Sequence, residues 1–162
     1  MGVYEFQKNC RLCNSSNFKL ILDLGKQPPS NALLTKKQVK VKEKKFPLRL
    51  YICKKCFHLQ LRDVVDKKLL FSNYFYTTGA NQTMVKHFHD YSEYLFKKFL
   101  RKTTNPHVIE IGSNDGTFLK NFLKHDVDVL GIEPAKNLAE LSKKLKINTL
   151  NAFFNLSLAK KL

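Results

Sequence analysis

Four cysteines fall in two pairs, Cys10-Arg11-Leu12-Cys13 and Cys53-Lys54-Lys55-Cys56, with 39 residues between the pairs at positions 14 to 52. Two residues between thiols let one tight turn aim both sulfurs at one ion. Two such turns complete the four-thiolate tetrahedron that structural zinc prefers. Each ligand thiol must shed its proton, so such a site depends on pH and on chelators. Arg11, Lys54 and Lys55 stand close enough in sequence to offset the charge of a four-thiolate zinc. The competing reading is two redox pairs or four free thiols. A redox pair would open a helix after a strand in a βαβ setting, and neither pair does. His58 could substitute for a thiolate, but it reads better as a surface histidine on the outgoing strand. With four thiolates the coordination shell is full, which makes the metal structural rather than catalytic.

A second constellation is Glu110-Ile111-Gly112-Ser113-Asn114-Asp115-Gly116, between an apolar run and a helix-like run. Glycines there let the backbone take positive φ and approach a ligand closely. A helix start offers free N–H groups to a carboxylate or another polar edge. The spacing is shorter than G-x-G-x-x-G, so a dinucleotide fingerprint fits poorly. The flanking acids disfavour a pyrophosphate and suit a ligand with a cationic amino-acid end, such as S-adenosylmethionine (SAM). Gly131-Ile132-Glu133-Pro134 follows at the end of the next strand-like run, and an acid there can accept both hydroxyls of a ribose. The plain alternative is a tight turn and a capped helix that hold no ligand.

Three textures position these groups. Residues 1–62 hold all the cysteines and short apolar runs at 18–24 and 46–52, which read as strands. Gly25-Lys26-Gln27-Pro28-Pro29 between them reads as a turn or extended connection, and 36–45 as a solvated lysine-rich loop. Residues 63–104 read as a helical, aromatic connector. Met84, Val85, Phe88, Tyr91, Leu95, Phe96 and Phe99 recur at three- and four-residue spacings and make one apolar helix face, ending near Thr103 ahead of Pro106. Residues 105–162 alternate as strand 108–111, helix 117–124, strand 127–132, helix 137–145 and strand 147–150. Phe118, Leu119, Phe122 and Leu123 are expected to face the core. Such alternation implies a parallel sheet.

The 162 residues suffice for one domain or two small ones, and 43% apolar content can build a core. No run of apolar residues is long enough for a membrane span, and the first ten residues lack a signal-peptide core. The expected location is therefore cytoplasmic, with no membrane partner. The net charge of +16 comes from 29 Lys and Arg against 13 Asp and Glu. Only Arg11, Arg49, Arg62 and Arg101 are arginines, the usual readers of base edges. Nucleic acid is therefore the less favoured partner, and most of the lysines read as solvated faces.

Taken together, these stretches resemble the sugar C-methyltransferases of deoxysugar pathways, which carry an N-terminal zinc-binding domain. The resemblance rests on the first cysteine pair and on Leu24-Gly25-Lys26-Gln27-Pro28-Pro29-Ser30-Asn31. It continues with Phe46-Pro47-Leu48-Arg49-Leu50 before Cys53 and Cys56, then Tyr74-Phe75-Tyr76-Thr77-Thr78-Gly79 and His87. The stretches 110–116, 131–134 and Ala152-Phe153-Phe154 close the series. Phe57-His58 stands where the family usually has Gly-Leu. The resemblance implies an α+β zinc-binding module followed by a truncated α/β, Rossmann-like SAM-dependent methyltransferase domain. It implies zinc on Cys10, Cys13, Cys53 and Cys56, and SAM on Glu110, Gly112, Ser113, Asn114, Asp115, Gly116 and Glu133. Tyr76 matches a family active-site tyrosine, against the plain reading of a packed aromatic; His87 matches a family histidine.

The implied reaction is transfer of a methyl group to a carbon of a nucleotide-linked keto-deoxysugar. Family members continue well beyond position 162, so the chain is expected to be an N-terminal fragment. The strand at 108–111 would then show an open apolar edge, and a separate chain carrying the remaining half is the expected partner. The alternatives are a stand-alone zinc module binding nucleic acid or protein, and an inactive remnant.

Overall fold

The computed structural model describes residues 3–162, which form two compact units, one running to Leu70 and the other Phe71–Leu162. In the first unit, β1 (Tyr4–Phe6) pairs antiparallel with β5 (Asp63–Val65), Tyr4 opposite Val65. The other sheet has the order β2 (Phe18–Gln27), β3 (Phe46–Cys53), β4 (Leu59–Leu61), all antiparallel. Register shifts at Leu20/Leu22 and Asp23/Lys26 interrupt the β2–β3 ladder, as bulges that bend a long ribbon do. The lysine-rich loop is exposed and holds one 3-10 turn, Gln38–Lys40.

Little apolar surface is buried here. Among the described residues of this unit, the buried ones are Cys10, Cys53, Gln60 and Asp63. Leu20, Ile21, Leu22 and Leu24 of β2 are all about half exposed. Polar and aromatic contacts supply the rest. Asp63 accepts from Tyr4 Oη at 2.6 Å and from Arg49 Nε at 2.9 Å. Arg49, then burial and the Tyr4 hydroxyl, set the Asp63 carboxyl, and the net result is a value below the usual range. The Arg62 guanidinium lies 4.0 Å from the Phe18 ring centroid and 4.5 Å from that of Phe6, and donates to the carbonyls of Gln7 and Lys8. A weakly hydrated planar cation suits such an aromatic setting.

The short helix α1 (Lys67–Phe71) lies at the boundary in the chain, and the second unit begins at Phe71. There α2 (Gln82–Leu95) starts at Asn81, whose side chain accepts from Met84 N at 3.2 Å. It runs on through a π-turn at Phe96–Leu100. Its inward stripe is Met84, Val85, Phe88, Ser92, Leu95 and Phe96. Tyr91 and Phe99, expected on that face, are 43% and 58% exposed. Ser92 is fully buried and returns its hydroxyl proton to the His89 carbonyl, which gives the helix a narrow line of approach.

A parallel sheet with order β6 (His107–Ile111), β7 (Asp128–Ile132), β8 (Asn148–Leu150) follows, with Glu110 opposite Gly131 and Gly131 opposite Thr149. Helix α3 (Lys136–Lys144) links β7 to β8, and α4 (Leu156–Ala159) follows β8. Between β6 and β7 the expected α-helix is instead a 3-10 helix, Leu119–His125. Asn121 explains the tightening: its Nδ2 donates to the carbonyls of Thr117 and Phe118, competing with the backbone for i→i+4 acceptors. Three residues per turn put Leu119 and Phe122 on one line, both fully buried, and leave Leu123 41% exposed rather than in the core. Among the described residues β6 pairs only with β7, and Ile109 and Ile111 are 53% and 58% exposed. No helix among the described residues is long and apolar enough to cross a membrane.

Candidate functional site

Each cysteine pair sits on a knuckle closed by a left-handed residue. Asn14 (φ 59°) ends the first, with Asn14 N–H on the Cys10 carbonyl and Cys10 N–H on the Ser15 carbonyl. Phe57 (φ 59°) ends the second, with the matching bonds from Phe57 to Cys53 and from Cys53 to His58. Lys54 N–H donates to the Asn17 carbonyl, which ties the second knuckle to the chain leaving the first. The four sulfurs all lie within 4.8 Å of one another, with Cys10–Cys56 and Cys13–Cys53 at 3.6 Å. A tetrahedral zinc with Zn–S near 2.3 Å requires S···S separations of about 3.8 Å, so the cage has the right size. Disulfides would need about 2.05 Å. His58 is exposed, just ahead of β4, and is no member of the cluster.

The cage is poised for thiolates. Burial opposes ionisation of Cys10, but backbone N–H groups of Cys13 and Leu12 and the Gln60 amide outweigh it and draw its thiol down to about 6. At Cys53 the Cys56 backbone N–H leads and likewise lowers the thiol. Cys56 gains from the His58 N–H, yet burial and the three other thiols push it up to about 12. A divalent cation removes that last obstacle by replacing mutual repulsion with attraction. Sequence reading missed Gln60, which is 5% exposed, donates to Cys10 Sγ at 3.1 Å and accepts from Arg11 N at 3.3 Å. Such partners orient the ligands of a metal. The one available signal was its place, four residues after Cys56 on the returning strand.

Phe57 occupies a conformation that costs an L-residue about 1–2 kcal/mol, and its side chain is 74% exposed. Phe57→Gly is expected to raise the unfolding free energy of the zinc-loaded protein by about 1 kcal/mol. Equilibrium denaturation checks this, and an unchanged or lower midpoint would show that the ring contributes packing.

The second constellation gathers at the carboxyl ends of β6 and β7. Gly112 (φ 74°) turns the chain off β6 and donates to the Ile132 carbonyl at 2.8 Å. Glu133, 5% exposed, turns inward: Oε2 accepts from Asn114 N at 2.8 Å and Oε1 from Ala135 N at 2.7 Å. Asn114 takes φ 51°; its Oδ1 accepts from Thr78 N and its Nδ2 donates to the Tyr76 carbonyl at 3.1 Å. Asp115, 7% exposed, accepts from Gly79 N at 2.8 Å and Thr117 N at 3.1 Å. A Cβ at Gly79 would stand 2.9 Å from Asp115 Oδ2, so the close approach requires glycine.

Residues 72–79 thus form a strap across the strand ends. Beyond the loop, Asn137 bonds both ways to the Tyr74 backbone and Lys136 N–H donates to the Ser72 carbonyl. Tyr76 is 40% exposed, and His87 stacks on Tyr91 with centroids 5.9 Å apart.

Beneath the loop lies an unbalanced group. Glu110 Oε2 is buried with no hydrogen-bond partner, and so is Ser113 Oγ. Ser113 fills the space over Gly131, the residue beside Glu110 in the ladder; a Cβ there would stand 2.6 Å from that hydroxyl. Burial first, then the charges of Asp115 and Glu133, push the Glu110 carboxyl up to about 8.

These two sites describe a thiolate metal module and a partial Rossmann-like sheet. Residues 10–71 match a family described as "Putative zinc binding domain". Over 145 residues, 90% of this chain, the sequence is 28% identical to the C-methyltransferase NovU of Streptomyces niveus. The chain spans 34% of the length of that relative. The zinc-binding part of the resemblance read from the sequence, and its link to C-methyltransferases, therefore stand.

Proposed function

We propose that the second unit binds SAM at the 110–116 loop, and that the chain forms the zinc-binding and cofactor-binding parts of a SAM-dependent C-methyltransferase for a nucleotide-linked keto-deoxysugar. The observation that carries the cofactor half is the buried, unpartnered Glu110 carboxyl oxygen beside two further acids. A cationic ligand end favours its ionised form and satisfies it, where a pyrophosphate would be repelled by the neighbouring Asp115 and Glu133. Glu133, at the end of β7, keeps lone pairs for ribose hydroxyls after accepting its two N–H bonds. The substrate class is supported by the resemblance to sugar C-methyltransferases.

SAM, when bound, supplies an electrophilic methyl group on a cationic sulfur. The protein's part is to hold that cation against Glu110 and exclude water with the strap. Carbon methylation also needs a proton removed beside a ketone and a donor at the enolate oxygen. The Tyr76 hydroxyl, on the strap, is the group of this chain assigned to that proton handling.

Calorimetric titration of SAM into the zinc-loaded chain tests the reading. Saturable binding is expected, weakened at least tenfold in Glu110→Gln, since one lost charge-assisted contact is worth about 1.5–3 kcal/mol. Absence of binding to a folded sample would overturn it. Glu133→Ala is a poorer probe, because it strands the N–H groups of Asn114 and Ala135.

A further inference from the structure

Asn114 stands where the cofactor loop and the Tyr76 strap meet, and its polar atoms point to both. Its backbone N–H is held by Glu133 Oε2 at 2.8 Å. Its side-chain oxygen accepts from Thr78 N and Asp115 N, both at 2.9 Å. Its side-chain nitrogen donates to the Tyr76 carbonyl at 3.1 Å. One residue therefore connects the acid assigned to the ribose with the tyrosine assigned to proton handling. Its left-handed backbone is one that asparagine tolerates better than most residues.

We propose that Asn114 is a positioning residue that couples occupancy of the cofactor loop to the placement of Tyr76, an inference that rests on the SAM reading above. A diol drawn to Glu133 shares the oxygen that holds the Asn114 N–H. Any shift of that N–H moves a side chain with two bonds to the strap. Asp115 follows as a second tie, through Gly79 N–H at 2.8 Å. The strap is anchored beyond it by Asn81 at the start of α2 and behind it by Asn137. Motion at Asn114 is thereby confined to the segment that carries Tyr76. Loop and strap are thus joined through one residue, which supplies the contiguous contact that transmission between sites uses.

Asn114→Gly is the discriminating variant, because glycine accepts φ 51° without strain and removes only the side-chain bonds. The readouts are the Tyr76 ring resonances in 13C-tyrosine-labelled protein and amide exchange at Thr78 and Gly79, with and without SAM. In the unaltered chain, SAM is expected to shift the Tyr76 ring signals and slow Thr78 exchange. In Asn114→Gly, Thr78 exchange should rise about tenfold, the measure of one hydrogen bond. SAM binding to the variant, followed by calorimetry, should still saturate, and at saturation the Tyr76 signals should no longer respond. A Tyr76 response that survives in Asn114→Gly overturns the coupling, as does SAM binding to the unaltered chain with no response at Tyr76. If SAM does not bind the unaltered chain at all, the cofactor reading falls and the coupling with it, an outcome distinct from the other two.

Discussion

Stripping the metal with a chelator, or replacing Cys53 with serine, is expected to unfold the 3–70 segment while the parallel sheet of the second unit persists. The apolar core of the first unit is too thin to hold it. Apart from Cys10 and Cys53 of the cage, its buried residues among those described are the polar Gln60 and Asp63. Small domains of this kind fold by binding their metal, with apparent zinc binding free energies of about 10–16 kcal/mol. Cys53 is fully buried at the end of β3, so losing its sulfur breaks both the cage and the strand end. Amide spectra should show collapse of the β2–β3–β4 signals on metal removal and their return with one equivalent of zinc. Cobalt substitution should give the absorption of a tetrahedral four-thiolate site. Persistence of those signals in metal-free protein would sink the structural role assigned to the ion.

The second large effect is a loss of stability of the 71–162 unit as pH rises, governed by Glu110. The sign follows from the two states. Below pH 4.5, the ordinary value, Glu110 is protonated both folded and unfolded and costs nothing. Between pH 4.5 and about 8 the unfolded chain releases this proton and the folded one keeps it, so folding is progressively disfavoured. Above about 8 the penalty is complete, roughly 2–5 kcal/mol after allowance for partial solvent access. Glu110→Gln cannot ionise and should abolish this component. The difference in unfolding free energy between the two proteins, measured from pH 5 to pH 9 with zinc saturating, isolates it from the cysteines. Parallel pH profiles would show that Glu110 ionises freely in the folded chain. Bound SAM should reduce the slope, because a cation beside Glu110 favours its ionised form.

How far the sequence foretold these features depends on how local they are. The cysteine knuckles are local: two thiols on a tight turn announce themselves by spacing, and the four sulfurs do converge. The strands read at 18–24 and 46–52 and the alternation after His107 are also periodic over short windows; the first two form as Phe18–Gln27 and Phe46–Cys53, so that β2 takes in Gly25–Gln27 of the expected connection. Contacts between side chains and distant backbone leave no such trace. Nothing in the spacing shows that Glu133 turns inward to two N–H groups, or that Asn114 and Asp115 reach back 36 residues to Thr78 and Gly79. The 3-10 helix is an intermediate case. Asn121 is visible, but whether its amide faces water or the carbonyls of Thr117 and Phe118 depends on packing. Tyr91 and Phe99 belong to a helix whose period is right and whose buried stripe is narrower than its aromatic one.

The 39 residues between the knuckles also set an order of events in time. A ribosome adding about 5–20 residues per second exposes the second pair roughly 2–9 s after the first. During that interval Cys10 and Cys13 can hold an ion by two sulfurs only, with its other positions open to water or to competing thiols. The cage shuts when Cys53 and Cys56 arrive, and shutting it draws β2 and β3 into register. Zinc supplied during synthesis therefore meets a two-thiol site first, whereas zinc supplied to the finished protein meets all four thiols at once.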